Sequence, residues 1–130
     1  MVDASALAAF ILKEEGWEGL TEYLVYSLSL DHVMKEVANA IWKAARLRKV
    51  LSEDEAWKAY EILRRIVGKN VVIVPELDYL NRSLEIALKF GITVYDALYL
   101  ALAEERGLPL LSLDDKQREV AKKLGVAVKP

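Results

Sequence analysis

The most informative segment of the chain is Thr93-Val94-Tyr95-Asp96-Ala97-Leu98-Tyr99-Leu100-Ala101-Leu102-Ala103. Thr93 and Asp96 have the spacing of a capping box, and Gly107 follows Arg106, so the sequence predicts a helix that ends at Arg106. This helix is apolar nearly all round, which is typical of a helix buried in the core. A carboxylate among such neighbours is costly unless its charge is compensated, so Asp96 is a candidate functional residue.

Short apolar runs alternate with amphipathic segments along the rest of the chain. The runs predict strands at Ser27–Leu30, Val71–Val74, Leu108–Leu113 and Val126–Val128, and a very short first strand ahead of Asp3. The longer segments predict helices over Ser5–Glu15, Val33–Lys49, Leu77–Phe90 and Lys116–Leu124, and one that a capping box opens at Ser52 and Gly68 ends. This alternation favours an α/β fold, a parallel sheet of about four to five short strands with helices on both faces.

Composition favours a single globular domain over residues 1–130. Hydrophobic residues make up 54% of the chain and charged residues 29%, which is enough apolar material for one core. The absence of cysteine excludes disulfides and thiol catalysis, and a single histidine excludes multi-histidine metal sites. The formal charge of −2 does not by itself indicate a nucleic-acid partner.

No segment has the pattern of a signal peptide or a membrane span, so we expect a cytoplasmic protein with no membrane partner.

Acidic residues lie where the predicted strands end or the following helices begin. Asp3 follows the first apolar residues and Asp114 follows the third predicted strand, while Glu36 and Asp96 lie in the first turns of helices. Because the carboxyl ends of parallel strands share one edge, we expect these four carboxylates to gather in one crevice. Each also has a purely structural interpretation as a helix cap or a first-turn acid. Glu36 and Asp96 fit that interpretation least, since both lie beside apolar faces.

A cluster of carboxylates without histidine or cysteine has a characteristic chemistry. Like charges in one crevice repel one another, and some remain protonated at pH 7 unless a cation neutralises them. Mg²⁺ and Mn²⁺ prefer oxygen ligands and leave coordination positions for water and phosphate. Such ions activate a water and neutralise charge on a phosphodiester during an in-line displacement. The pattern therefore indicates phosphoryl or nucleotidyl chemistry.

Four segments resemble, in order, the motifs of PIN domains. Met1–Leu7 resembles the opening motif, a short strand followed by Asp-x-Ser. Lys35–Lys43 is similar to the second motif, in which Glu and Asn stand three apart, and residues 93–103 strongly resemble the third motif of archaeal VapC-type proteins. Leu110–Asp114 resembles the fourth, in which Ser or Thr precedes Asp by two residues. Together the four motifs extend the resemblance over the whole chain.

The resemblance implies a Mg²⁺- or Mn²⁺-dependent endoribonuclease that is the toxin of a toxin–antitoxin pair. Its partners would be an RNA substrate, a cognate antitoxin and a second copy in a homodimer. The catalytic and metal-binding acids would be Asp3, Glu36, Asp96 and Asp114. Ser5 and Ser112 would supply supporting hydroxyls, and Asn39 would orient Glu36 or contact the substrate.

Two adjacent acids, Asp114 and Asp115, compete for the fourth position. Asp114 follows Ser112 by two residues, so in an extended segment both point to the same side. Asp115 falls where the final helix is expected to begin, and Asp is a favoured N-cap residue. We therefore expect Asp114 in the site and Asp115 as the helix cap.

Three further residues have open interpretations. Lys43 lies on the same side of its helix as Glu36, so it either contacts an RNA phosphate or is a solvated charge near a helix C-terminus. His32, beside Asp31 at a helix start, is expected to cap the helix or lie at the surface. Trp42 lies opposite the apolar stripe of its helix, which indicates a dimer or antitoxin interface or packing against a neighbouring helix.

Two alternatives compete with the nuclease hypothesis. The first is a catalytically inactive PIN-like domain that only binds other proteins, and the presence of all four acids disfavours it. The second is a receiver-type phospho-acceptor domain, which carries its reactive Asp at the end of a central strand. The middle predicted strand ends Val74-Pro75-Glu76 instead.

Overall fold

The first residues of the chain join two pairs of parallel strands into one sheet. The computed structural model describes residues 1–130, with strands β1 (Ser27–Leu30), β2 (Val71–Val74), β3 (Leu110–Leu111) and β4 (Val128–Lys129). β1 pairs with β2 and β3 with β4, both in parallel. Val2 lies between the pairs, because its N–H donates to the Leu28 carbonyl at 2.9 Å and it bridges Leu111 in parallel. The strand order is therefore β2, β1, the N-terminal segment, β3, β4.

Seven α-helices pack around this sheet. They are α1 (Ala4–Ile11), α2 (Thr21–Leu24), α3 (Val33–Trp42), α4 (Glu53–Ile66), α5 (Leu80–Phe90), α6 (Val94–Arg106) and α7 (Asp115–Lys123). Two 3-10 turns, Trp17–Leu20 and Glu76–Tyr79, and a π-helical segment, Lys43–Leu47, complete the chain. The α/β fold predicted from the sequence is confirmed, and the connections after β1 and β2 each contain a helix pair.

Helix α6 is the centre of the core, as its sequence predicts. Every residue from Ala97 to Ala103 is buried. The Thr93 hydroxyl accepts from the Asp96 N–H at 3.2 Å, and Gly107 ends the helix in the left-handed conformation, with φ 61°. The reciprocal bond that would complete a capping box does not form, whereas the box that opens α4 at Ser52 is complete.

Strands β3 and β4 are shorter than the sequence predicts. The Leu108 N–H closes the end of α6 by donating to the Ala103 carbonyl at 3.0 Å, and Pro109 has no N–H to pair. The Val126 N–H likewise donates to the Ala121 carbonyl at 2.8 Å, so it ends α7 rather than extending β4. Helix termini therefore compete with the sheet for the backbone groups at the strand starts.

The helix predicted over Val33–Lys49 changes its winding part-way along. From Lys43 it continues as a π-helical turn, in which the Arg48 N–H donates to the Lys43 carbonyl at 2.9 Å. The wider turn rotates the following residues relative to α3. As a result Leu47, which belongs to the apolar stripe at regular helical spacing, is 63% exposed.

Strand β2 lies at the edge of the sheet, next to β1 alone. The sequence argument against a receiver domain treated this strand as the middle one, and that premise is wrong, because the N-terminal segment occupies the centre. No single helix of the protein is both long enough and apolar enough to cross a bilayer.

Candidate active site

The carboxyl edge of the sheet brings together polar side chains from four strand ends. Asp3 follows Val2 in the central segment, His32 follows β1, Glu76 follows β2, and Asp114 follows β3. The first turn of α6 adds Asp96. This is the edge at which parallel α/β sheets form their binding crevices.

Asp3 is the most buried acid of the protein, with 1% of its surface exposed. Its Oδ1 accepts from the Ser5 hydroxyl at 2.7 Å and from the Ala6 N–H at 3.0 Å, so the carboxylate caps α1. Its Oδ2 is buried and has no hydrogen-bond partner. Burial raises the pKa of Asp3 to about 6, against the opposing effect of the nearby Ser112 hydroxyl and of the hydrogen bonds from Ala6 and Ser5, and the charge of Asp114 raises it further.

Two serine hydroxyls connect the start of α1 to the start of α7. Ser5 Oγ and Ser112 Oγ lie 3.4 Å apart. The Leu113 N–H donates to Ser5 Oγ at 2.9 Å, and the Asp114 N–H donates to Ser112 Oγ at 3.1 Å. The structure therefore places both predicted hydroxyls in the crevice, where they fix the backbone that carries Asp114.

Asp114, not Asp115, caps the last helix. Asp114 Oδ1 accepts from the Gln117 N–H at 2.8 Å, and α7 begins one residue later. The expectation that Asp115 is the cap is wrong, because the chain turns directly after the short β3 and the helix starts one residue earlier than predicted. Asp114 also faces the crevice, since its charge raises the pKa of both Asp3 and Asp96.

Asp96 lies half-buried opposite Asp114. Burial raises its pKa, and the charges of Asp114 and Glu36 add to the effect, while the Thr93 hydroxyl and His32 oppose it. The Asp96 carbonyl accepts from Gln117 Nε2 at 3.0 Å, and this bond joins the start of α6 to α7. The bond therefore fixes the start of α6, which carries Asp96, relative to the start of α7, which follows Asp114.

Glu36 reaches the crevice in contact with a histidine. Its Oε1 lies 2.6 Å from Nε2 of His32, and Nδ1 of His32 lies 3.3 Å from Oε2 of Glu76. His32 is 4% exposed and makes no capping bond, so the expectation of a capping or surface role is wrong. The end of β1 brings the imidazole against the Tyr99 ring, with 4.8 Å between the ring centroids.

Tyr99 adds a hydroxyl group among the acids. The hydroxyl oxygen is buried without a hydrogen-bond partner. Burial raises its pKa strongly, and the charges of Glu36, Asp3 and Asp96 raise it further. The tyrosine hydroxyl therefore lies within electrostatic range of three of the four predicted acids.

These groups suit a hydrated divalent cation better than a closed cage. No three acidic or histidine side chains are arranged closely enough to enclose a cation. The unpartnered Oδ2 of Asp3 is nevertheless a buried oxygen ligand, and the neighbouring carboxylates repel one another. Mg²⁺ typically binds one or two carboxylates directly and keeps several waters. The residues present therefore fit a cation held directly by few carboxylates and through water by the others.

Comparison with known sequences identifies the family. The sequence model of the PIN domain matches residues 1–123. The chain belongs to the PIN domain family. Its relatives in Pyrobaculum aerophilum include Ribonuclease VapC3, 41% identical over 100% of this chain and 98% of the relative, and Exonuclease VapC9, 35% identical over 88% of this chain and 79% of the relative. The crystal structure of PAE2754 from the same organism is similar with a TM-score of 0.73 and 26% identity, covering 98% of this chain and 81% of that one.

Two of the expected site residues of this PIN domain form no hydrogen bond or ion pair with the acids. Asn39 is exposed on α3, and its side chain makes no hydrogen bond to Glu36, so the expected orienting contact is absent. Lys43 is exposed at the start of the π-helical turn. Both remain candidates for substrate contact rather than for holding the acids.

Sequence reasoning missed His32, Glu76 and Tyr99 in this PIN domain. Glu76 follows β2 directly after Pro75, so the rule that drew attention to Asp3 and Asp114 applies to it equally. Tyr99 lies three residues after Asp96, on the same face of α6. A search of all strand ends and of that helix face would have found all three residues, because His32 follows β1 by two residues just as Glu76 follows β2.

Proposed function

We propose that this PIN domain is an endoribonuclease that uses Mg²⁺ or Mn²⁺ to hydrolyse RNA phosphodiesters, and that it is the toxin of a VapBC-type pair. The observation that carries the proposal is the buried Asp3 carboxylate with an unpartnered Oδ2, at the sheet edge where the charge of Asp114 acts on both Asp3 and Asp96. The name of a relative that spans the whole chain, Ribonuclease VapC3, supports RNA as the substrate.

Each carboxylate has its own means of support in this mechanism. Ser5 and the Ala6 N–H hold Oδ1 of Asp3, which leaves Oδ2 for a cation. Asp96 and Glu36 complete the site, and Asp114 adds negative charge from the start of α7. A bound divalent ion supplies an activated water and neutralises charge on the scissile phosphate. Lys43 is the proposed phosphate contact, one and a half to two helical turns from Glu36 on the same side of the helix.

Incubation with mixed RNA tests this activity. The protein should cleave RNA with Mg²⁺ or Mn²⁺ and should not cleave it with EDTA. The Asp96→Asn variant should be inactive and folded, whereas Asp115→Asn, which changes an exposed acid of α7, should cleave like the wild type. No cleavage of any RNA under these conditions would contradict the proposal and favour a PIN-like domain that only binds proteins.

A circular RNA tests the endonucleolytic assignment, because one relative carries the name Exonuclease VapC9. An endoribonuclease linearises a closed circle, whereas an exonuclease needs a free end. We expect linear products from circular RNA. Degradation of linear RNA with intact circles would show that the enzyme acts from the ends.

Two separate apolar surfaces support two protein partners. A groove of about 750 Å³ between α3 and α4 includes Trp42 and Trp57, both more than half exposed. On the Glu76–Tyr79 turn and α5, a row of leucines is exposed: Leu77, Leu80, Leu84 and Leu88. A concave groove suits a segment of another chain, so we assign it to the antitoxin. An apolar row along one helix face suits pairing with its own copy about a two-fold axis, so we assign it to the homodimer.

Light scattering, which measures the oligomeric state, tests whether the leucine row rather than the groove forms the homodimer. The wild type should be a dimer at tens of micromolar, Leu84→Glu should be a monomer, and Trp42→Ala should remain a dimer. A monomeric wild type would contradict the homodimer. Because the substrate is RNA and no single helix suits a bilayer, we place the protein in the cytoplasm.

A further inference from the structure

A buried histidine links two carboxylates at the edge of the crevice. The imidazole of His32 lies between Glu36, 2.6 Å from Nε2, and Glu76, 3.3 Å from Nδ1. The two acids come from different parts of the chain: Glu36 is in α3, and Glu76 follows β2. His32 therefore connects a predicted metal-binding acid to an acid with no assigned role.

The backbone fixes the position of this histidine. His32 follows β1 by two residues, and the carboxylate of its neighbour Asp31 accepts from the Glu76 N–H at 3.0 Å. This bond holds the end of β2 beside the end of β1. Tyr99 packs against the imidazole from α6 at 4.8 Å, and Tyr95 adds an edge contact at 6.0 Å. Two tyrosines of α6 therefore pack against the ring in addition to its contact with Glu36.

The contacts of His32 with the two carboxylates are short but are not well-directed hydrogen bonds. Both nitrogen–oxygen distances are short, yet neither meets the directional requirement of a hydrogen bond. Glu36 Oε1 is buried and has no hydrogen-bond donor, and the imidazole nitrogen of His32 lies 2.6 Å from it. Removing the imidazole would therefore leave Glu36 free to rotate away from the crevice.

We propose that His32 is a positioning residue that holds Glu36 towards the cation site, with Glu76 anchoring the imidazole from the opposite side. With Oε1 engaged by His32, the second oxygen of Glu36 remains for the crevice. The inference rests on the proposed function, since it assigns a support to one acid of that site. The imidazole of His32 orients Glu36 as the Ser5 hydroxyl orients Asp3. It takes the place of the orienting contact that was expected from Asn39.

Calorimetric titration with Mn²⁺ tests this role independently of catalysis. Partners of metal ligands typically contribute about 10- to 100-fold to metal affinity. His32→Leu, which keeps an apolar side chain against Tyr99, should weaken Mn²⁺ binding by that factor. His32→Gln, whose amide can donate to Glu36, should recover most of the loss. Leu63→Val, a change in the core helix α4, is the control and should bind Mn²⁺ like the wild type while lowering the melting temperature.

A double-mutant cycle tests whether Glu76 acts through His32. Glu76→Gln should weaken Mn²⁺ binding in the wild type and have no further effect in His32→Leu, because the imidazole it anchors is absent there. An equal effect in both backgrounds would overturn the anchoring role. If His32→Leu does not fold, the same cycle run on His32→Gln gives the answer.

The outcomes separate this inference from the proposed function. Tight Mn²⁺ binding and RNA cleavage by the wild type, with unchanged binding by His32→Leu, would overturn the positioning role alone. Equal losses in His32→Leu and His32→Gln would also overturn it, since a donor to Glu36 would then make no difference. A wild type that neither binds Mn²⁺ nor cleaves RNA would overturn both.

Discussion

Helices α1 and α7 both begin with an aspartate that caps the helix, but the two caps differ in burial. Asp3 is almost fully buried, and Oδ2 has no partner, whereas Asp114 is exposed. Each carboxylate accepts from the backbone N–H three residues later, at 3.0 Å and 2.8 Å. Each aspartate also has a serine two residues away: the Asp3 carboxylate accepts from the Ser5 hydroxyl, whereas the Asp114 backbone N–H donates to the Ser112 hydroxyl. The local chemistry is therefore nearly the same at both sites.

The difference shows that burial, rather than the capping motif, leaves an aspartate oxygen without a partner. The N-terminal segment is the central strand, so Asp3 leaves the sheet in its middle. β3 lies next to it, and its chain turns outward through Leu113 before reaching Asp114. Asp3 then bears the free-energy cost of desolvation, and Asp114 mainly adds negative charge from the rim of the crevice.

The largest expected effect separates the two aspartates by activity. Asp3→Asn should lower RNA cleavage at least about 1,000-fold, because a metal ligand contributes several kcal/mol to the transition state. Asp114→Asn should lower it by about 10- to 100-fold, since Asp114 acts from the rim. Initial rates at saturating Mn²⁺ measure both. Equal losses in the two variants would remove the distinction between a buried and a rim acid.

The next effect is on the stability of the metal-free protein. The pKa of Asp3 is about 6 in the folded protein against an ordinary 3.8, so the folded state binds more protons between these values. Stability should therefore fall as the pH rises from about 4 to about 6 and then level off, by about 3 kcal/mol in total. Asp96, whose pKa is also raised, adds to the same trend.

Urea unfolding in EDTA between pH 4 and pH 7 measures this slope. Asp3→Asn should lose most of it and be more stable than the wild type at pH 7, because the amide carries no charge to desolvate. Asp115→Asn is the matched control and should keep the wild-type slope. If the stability of the wild type rises over this pH range, burial does not destabilise the charged carboxylate of Asp3.

The smallest effect tests the register of the last helix. Asp114→Ala should cost about 1 kcal/mol of stability through loss of the N-cap bond to Gln117. Asp115→Ala should change stability by less than about 0.5 kcal/mol, as is usual for a surface position. Thermal unfolding of the two variants side by side measures the difference. A larger loss in Asp115→Ala would restore the cap to the position predicted from the sequence.

The sequence predicted those elements in which local signals agree with the fold. Ser27–Leu30 and Val71–Val74 form strands over their predicted ranges, because apolar runs bounded by turn residues have few alternatives. The helix over Val94–Arg106 has a cap at each end and an apolar surface, and it lies in the core as expected. The four acids do lie at one edge, since parallel topology alone determines that placement.

Other features depended on contacts that a single sequence does not contain. The exposure of Leu47 follows from a π-helical turn that regular helical periodicity cannot predict. The cap at Asp114 depended on where β3 ends, and there the Leu113 N–H donates to Ser5 Oγ and the Asp114 N–H donates to Ser112 Oγ. The burial of His32 depended on Tyr99 and Glu76, more than forty residues away in the chain. Local patterns therefore located the site, and long-range packing assigned the roles within it.

The most direct test of the account is the titration of the Asp3 carboxyl group by ¹³C NMR, without and with saturating Mg²⁺. Without Mg²⁺ the midpoint should lie near pH 6, because burial raises the pKa of Asp3. With Mg²⁺ the midpoint should move to lower pH, because a cation at Oδ2 stabilises the charged form. The same midpoint in both conditions would contradict the claim that this buried aspartate is the centre of a cation site.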